Sequence, residues 1–233
     1  MDFKTIKDEI IKHPEGGKML NAAFTHRSFA AENNLDYDNQ RLEFLGDAVI
    51  ELILSAYLFR LYPDAKEGAM TAMRSALVRE ETLADLARKL KLGQMLKIGR
   101  GERELQGNKR DSTLADLFEA LFGACYLVCG YETTEKIILE LFRENCPDPE
   151  NAFRRLNPKG TLQEFTQGKW NTTPVYKVLK ISGPPHHPDY EVEVSVNNFV
   201  TPGHGNSKRE AESDAADKLY RFLTEHPKQK SSK

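Results

Sequence analysis

The chain has 233 residues, 39% hydrophobic and 29% charged, with a formal net charge of -2 at neutral pH. That length suits one large domain or two smaller ones, with ample chain to bury a core. Residues 1–156 carry 22 Lys and Arg against 26 Asp and Glu, and residues 157–233 carry 11 against 9, a mild asymmetry that excludes a strongly basic tail.

The opening MDFKTIKDEI lacks the charged-then-apolar profile of a signal peptide. The most apolar stretch, Ala48 to Phe59, is interrupted by Glu51 and is too short to span a bilayer, so no membrane partner is expected. Apolar periodicity predicts helices over residues 18–31, 39–62, 69–77, 80–91, 113–129 and 132–145, and nothing in this part alternates like a strand. Cys146-Pro147-Asp148-Pro149-Glu150 then breaks the helical pattern, because paired prolines remove donors and push their predecessors toward extended geometry. Beyond it, residues 161–169 read as a helix, 174–182, 189–196 and 197–201 as strands, and 207–224 as a helix. The expected organisation is an all-α domain over 1–146, a linker over 147–156, an α+β domain of order α-β-β-β-α over 157–225, and a disordered lysine-bearing tail over 226–233. Cys125, Cys129 and Cys146 form no metal-binding spacing, which fits a reducing compartment and a cytoplasmic protein.

Two acidic clusters stand out within the helical part: NQRLEFLGD at 39–47 and STLADLFEAL at 112–121. Glu43 and Asp47 are four residues apart and Asp116 and Glu119 three apart, so each pair projects from one helix face. Both helices are apolar nearly all round, the mark of a buried helix. Buried carboxylates must pair with cations, bind metal or take up protons. Arg41 can neutralise one of them, not four. Ala120, Gly123 and Ala124 beside Asp116 are small enough to let a neighbouring helix approach. Each residue has a plainer alternative: Thr113-x-x-Asp116 fits a capping box, and Glu43 fits a structural partner of an arginine. Together they favour a divalent cation, and oxygen-only ligation, with no histidine expected near either cluster, points to Mg2+ or Mn2+.

AFTHRSF, NQRLEFLGD and LADLFEALFGA, in this order along the chain, resemble the motifs of bacterial ribonuclease III, and the back part resembles a double-stranded-RNA-binding domain; the resemblance runs from about residue 18 to 224. It implies that Glu43, Asp116 and Glu119 ligate the metal and that Asp47 positions or activates the attacking water, which makes Asp47 and Glu119 the catalytic pair. It implies hydrolysis of double-stranded RNA to 5′-phosphate and 3′-hydroxyl ends with short 3′ overhangs, in processing of ribosomal RNA precursors and some messenger and transfer RNAs. Glu67 matches a position with a supporting acidic role. Gln40 departs from the pattern, which usually has Glu there, and so lacks the charge that would make an outer contact to the metal at that position. Cuts on both strands need two centres, so a homodimer is expected, with Phe44 reaching across as the equivalent family position does.

Duplex RNA is read mainly by shape, through its shallow minor groove and the phosphates across the adjoining groove. Thr161, Gln163, Glu164 and Gln167 offer groups for a minor groove. His186 lies at the tip of the GPPHH turn, and Ser207, Lys208 and Arg209 open the last helix, where backbone N–H groups and the positive helix end attract phosphate. A protein that binds structured RNA without cutting it is the alternative, but such a protein is free to lose the four carboxylates. A small-molecule phosphohydrolase leaves the RNA-binding half without a purpose.

Overall fold

The computed structural model describes residues 1–146, 148, 149, 154, 157–184 and 187–225. Most of the expected linker, the whole of the expected tail, and His186 lie outside these residues. The chain divides into two compact units, Met1–Ala152 and Phe153–Lys233.

The first unit is helical: α1 (Phe3–Ile11), α2 (Gly16–Ala23), α3 (Arg27–Glu32), α4 (Gln40–Leu61), α5 (Glu67–Leu77), α6 (Glu80–Lys89), α7 (Arg100–Glu104) and α8 (Asp111–Asn145). α8 is the central helix, packed by α4, α6, α2 and α1. Its faces are buried by Leu114, Leu117, Phe118, Leu121 and Phe122, so although it is long and apolar enough to cross a bilayer it serves here as core. Gly130 (φ 77°, ψ 178°) is non-helical and breaks it between the two helical stretches expected at 113–129 and 132–145. α4 crosses α8 at two glycines. A Cβ on Gly46 would lie 1.8 Å from the Glu119 carbonyl oxygen, and one on Gly123 would lie 2.1 Å from that of Leu42. The backbones therefore touch where any side chain would hold them apart.

Four features depart from the sequence expectation. The predicted helix over 18–31 splits, because Thr25 leaves the helix to bridge Lys97: the Lys97 N–H donates to the Phe24 carbonyl (2.9 Å) and the His26 N–H to the Lys97 carbonyl (3.0 Å). α1, started by the Asp2 carboxylate accepting the Thr5 N–H, and the single-turn-length α7 carry periods too short to read. Thr113 sits inside the first turn of α8, whose N-cap is Arg110, so the capping-box alternative for Asp116 does not hold. Finally, α4 is not buried all round: Phe44, Leu52 and Phe59, which lie within 80° of one another on the helix, are 81%, 57% and 69% exposed.

The second unit packs α9 (Pro158–Trp170) and α10 (Lys208–Glu225) on one face of an antiparallel sheet ordered β1 (Val175–Ser182), β2 (Asp189–Val196), β3 (Phe199–Gly205). Val192, Val194 and Val196 alternate inward on β2, and Val194 and Val196 meet Leu162, Ala215, Ala216 and Leu219. Pro158 at the helix start and Asn157, whose side chain accepts the Gly160 N–H, fix the beginning of α9. β3 runs further than the short strand expected at 197–201. Gly203 and Gly205 allow this, since a Cβ on either would meet the backbone of α10 at Ala211 or Ala215 within 2.6 Å.

Candidate metal centre and nucleic-acid interface

The glycine crossing sets one turn of α4 against one turn of α8. Asn39, 3% exposed, begins α4; its N–H donates to the Thr25 carbonyl (2.9 Å), which fixes where Glu43 enters the site. Carboxylate oxygens of Glu43, Asp116 and Glu119 all lie within 4.8 Å of one another. Among the described residues no Lys or Arg forms an ion pair with any of them or with Asp47. Three half-buried oxygens with no neutralising partner match the hard, oxygen-liganded coordination of Mg2+ or Mn2+. Asp47 is exposed, one turn beyond Glu43 on α4, and its charge acts on Glu119.

Burial, reinforced by the neighbouring carboxylates, raises the pKa of Glu119 to about 8. Burial and the Asp116 charge raise that of Glu43, while Arg27 opposes; burial and Glu80 raise that of Asp116, against His26 and Arg27. Sequence spacing gave no sign of His26 and Arg27, and the expectation of no histidine near the clusters is corrected here. Both belong to AFTHRSF, and the Thr25–Lys97 bridge carries them to the acidic face. His26 is not one of the converging ligands. Its Nδ1 lies 2.7 Å from Ser28 Oγ, which accepts the Gly99 N–H, and burial lowers its pKa.

Glu67 stands apart: it opens α5, is exposed, and its carboxylate accepts the Thr71 hydroxyl (2.9 Å) beside Ser55 and Phe59 of α4. Gln40 is also exposed, and its backbone N–H donates to the Asp38 carboxylate. In the second unit Gln163, Glu164 and Gln167 are exposed on α9, whereas Thr161 is buried and its hydroxyl has no partner. Ser207 caps α10 by accepting the Glu210 N–H (3.2 Å), and Lys208 and Arg209 are exposed at the first turn.

The raised Glu119 pKa has a defined consequence for stability. The folded protein keeps this proton up to about pH 8, while the unfolded chain loses it near the ordinary 4.5. Between those values the folded state binds more protons, so its stability is full below the lower value and falls as pH rises through the upper one. Metal-free protein is therefore expected to unfold at lower denaturant concentration at pH 8 than at pH 5, and Glu119→Gln to flatten this trend. Parallel pH profiles for the two proteins would contradict it.

Comparison with known proteins covers both units in order. Residues 17–145 match the ribonuclease-III-like family and residues 158–223 the double-stranded RNA binding motif. Ribonuclease 3 of Natranaerobius thermophilus is 43% identical over 209 residues, covering 89% of this chain and 90% of that protein. Ribonuclease 3 of Vibrio cholerae is 41% identical over 209 residues, covering 89% and 91%. Among solved structures, the nuclease domain of ribonuclease III from Campylobacter jejuni, studied for structural flexibility in the region involved in its dimer formation, matches with TM-score 0.57 and 34% identity over 63% of this chain and all of that one. Relatives that span the acidic helices and the sheet together, rather than either alone, make the assignment plain: the chain belongs to the ribonuclease III family, a helical nuclease domain followed by a double-stranded-RNA-binding domain.

Proposed function

We propose that the chain cuts double-stranded RNA at the Glu43–Asp116–Glu119 centre, and that these three residues hold a divalent cation, Mg2+ with Mn2+ able to substitute. The observation that carries this reading is the convergence of three carboxylate oxygens within 4.8 Å and without an ion-paired lysine or arginine. A cation bound there supplies Lewis acidity, making water a stronger nucleophile near neutral pH and offsetting charge on the phosphate. Glu119, whose pKa burial raises to about 8, would give up its proton on binding the cation. Asp47, exposed one turn along α4, orients the attacking water and accepts its proton. Hydrolysis leaves a 5′-phosphate and a 3′-hydroxyl. The non-cutting alternative has no use for this cluster, which is costly to bury.

A second copy of the chain supplies the second centre. Phe44, Leu52 and Phe59 form an exposed apolar stripe, and Phe44 borders a groove of about 1020 Å3 lined also by Met19, Tyr37, Leu42 and Leu127. An exposed apolar stripe of this kind marks an association surface, and an isologous pair would set stripe against stripe. Gln163, Glu164, Gln167, Lys208 and Arg209 make the duplex contacts of the second unit, with His186 reaching a second groove. Substrates of this enzyme are precursors of ribosomal RNA and structured messenger and transfer RNAs, met in the cytoplasm, where the three free cysteines stay reduced.

Glu119→Ala is expected to lower Mg2+-dependent cleavage of long duplex RNA by more than about 100-fold while binding in EDTA stays within about 2-fold; substantial cleavage by the variant would remove Glu119 from the centre. Wild-type protein that yields no metal-dependent fragments would favour the binding-only reading. For the assembly, Phe44→Asp should sediment as a monomer, and a stable dimer would rule out Phe44 as the anchor.

A further inference from the structure

Glu212 lies at the second turn of α10 with only 12% of its side chain exposed, and it holds two lysines from two helices. The Lys159 ammonium, from the start of α9, bonds one carboxylate oxygen, and Lys208 Nζ lies 3.9 Å from the other. An acid on a face that meets a polyanion repels it and is costly to bury, so its retention needs a reason.

We infer that Glu212 is a positioning residue for duplex RNA: it gathers Lys159 and Lys208 into a paired phosphate contact, which makes Lys159 part of the binding surface. The inference rests on the reading of the second unit as the duplex-binding part. Three observations support it. Two ammonium groups against one carboxylate leave a surplus positive charge, and it faces outward, since Lys159 and Lys208 keep 40% and 64% of their side chains exposed. A purely structural bridge would match one charge to one. Lys159 is also held from a second side: its Nζ sits 4.6 Å from the centre of the Tyr176 ring, whose own hydroxyl is buried without a hydrogen-bond partner. A side chain fixed in this way loses less entropy when it meets a phosphate. Lys159, Gln163 and Gln167 follow one another at i, i+4 spacing, so Lys159 continues the exposed face of α9 toward the first turn of α10. Glu212 thereby ties the groove-facing helix to the phosphate-facing one.

The test compares the full-length protein and its variants for affinity to a duplex RNA in EDTA across a range of KCl, with thermal unfolding to verify folding. Glu212→Gln keeps the shape and removes a negative charge. Simple charge repulsion predicts tighter binding; positioning predicts binding weaker by about 3-fold or more and a shallower dependence on salt. Lys159→Ala should reduce the salt slope by about 1, and in that background Glu212→Gln should cost less than it does alone. Unchanged or tighter binding by Glu212→Gln, or an unchanged slope for Lys159→Ala, overturns the inference. Wild-type protein with no salt-sensitive affinity for duplex RNA would instead overturn the reading on which it rests.

Discussion

The close crossing of α4 and α8 is the constraint on which the centre depends. Glu43 and Asp47 belong to one helix and Asp116 and Glu119 to the other, about seventy residues further along the chain. Only a backbone-to-backbone approach lets such short side chains converge, and Gly46 and Gly123 provide it from both sides of the contact. Each glycine lies next to the acids it serves: Gly46 directly precedes Asp47, and Gly123 lies one turn after Glu119. The rest of the nuclease unit supports this crossing. α6 and α2 pack on α8, and fully buried Phe118, Phe122, Ile50, Ile53 and Leu54 supply the apolar contact that holds two helices together against the repulsion of their acids.

That repulsion is the electrostatic character of the site. Raised pKa values at Glu43, Asp116 and Glu119 share one leading cause, burial, and each is reinforced by a neighbouring acid. Arg27 and His26 soften the field from the side without joining the cluster as ligands. A pair of opposite charges would have settled the same residues into a structural salt bridge, as Arg88 does with Asp111 at the start of α8. The cluster instead leaves its carboxylates without an ion-paired lysine or arginine among the described residues, and a cation bound there would couple its binding to their deprotonation.

Much of this was legible in the sequence. Spacing within NQRLEFLGD and LADLFEAL placed the acids on common helix faces, and the small residues around Gly123 pointed to a close neighbour. Paired prolines marked the end of the helical part, and alternation in DYEVEVSV located β2. What periodicity could not supply was partnership. It could not show that Thr25 leaves its helix for Lys97, because a single bridge has no period; AFTHRSF was marked only by the resemblance, and nothing in the pattern placed His26 and Arg27 beside the acids. Nor could it separate buried from exposed positions on α4, since Phe44 and Leu52 are as apolar as Ile50 and Leu54 yet point to solvent. Thr161 looked like a polar surface group and is buried, two residues after Lys159, which meets Tyr176 of β1 and Glu212 of α10.

On the proposed reading the two units face opposite electrostatic problems: one gathers carboxylates for a cation, the other presents lysine and arginine at helix starts to phosphate. The most direct test of the account is to grow crystals with Mn2+ and measure anomalous scattering at the manganese edge. The account predicts a peak bonded to oxygens of Glu43, Asp116 and Glu119 at about 2.0–2.2 Å, a distance suited to small hard divalent cations. Manganese bound elsewhere, with these three carboxylates uncoordinated, would contradict it.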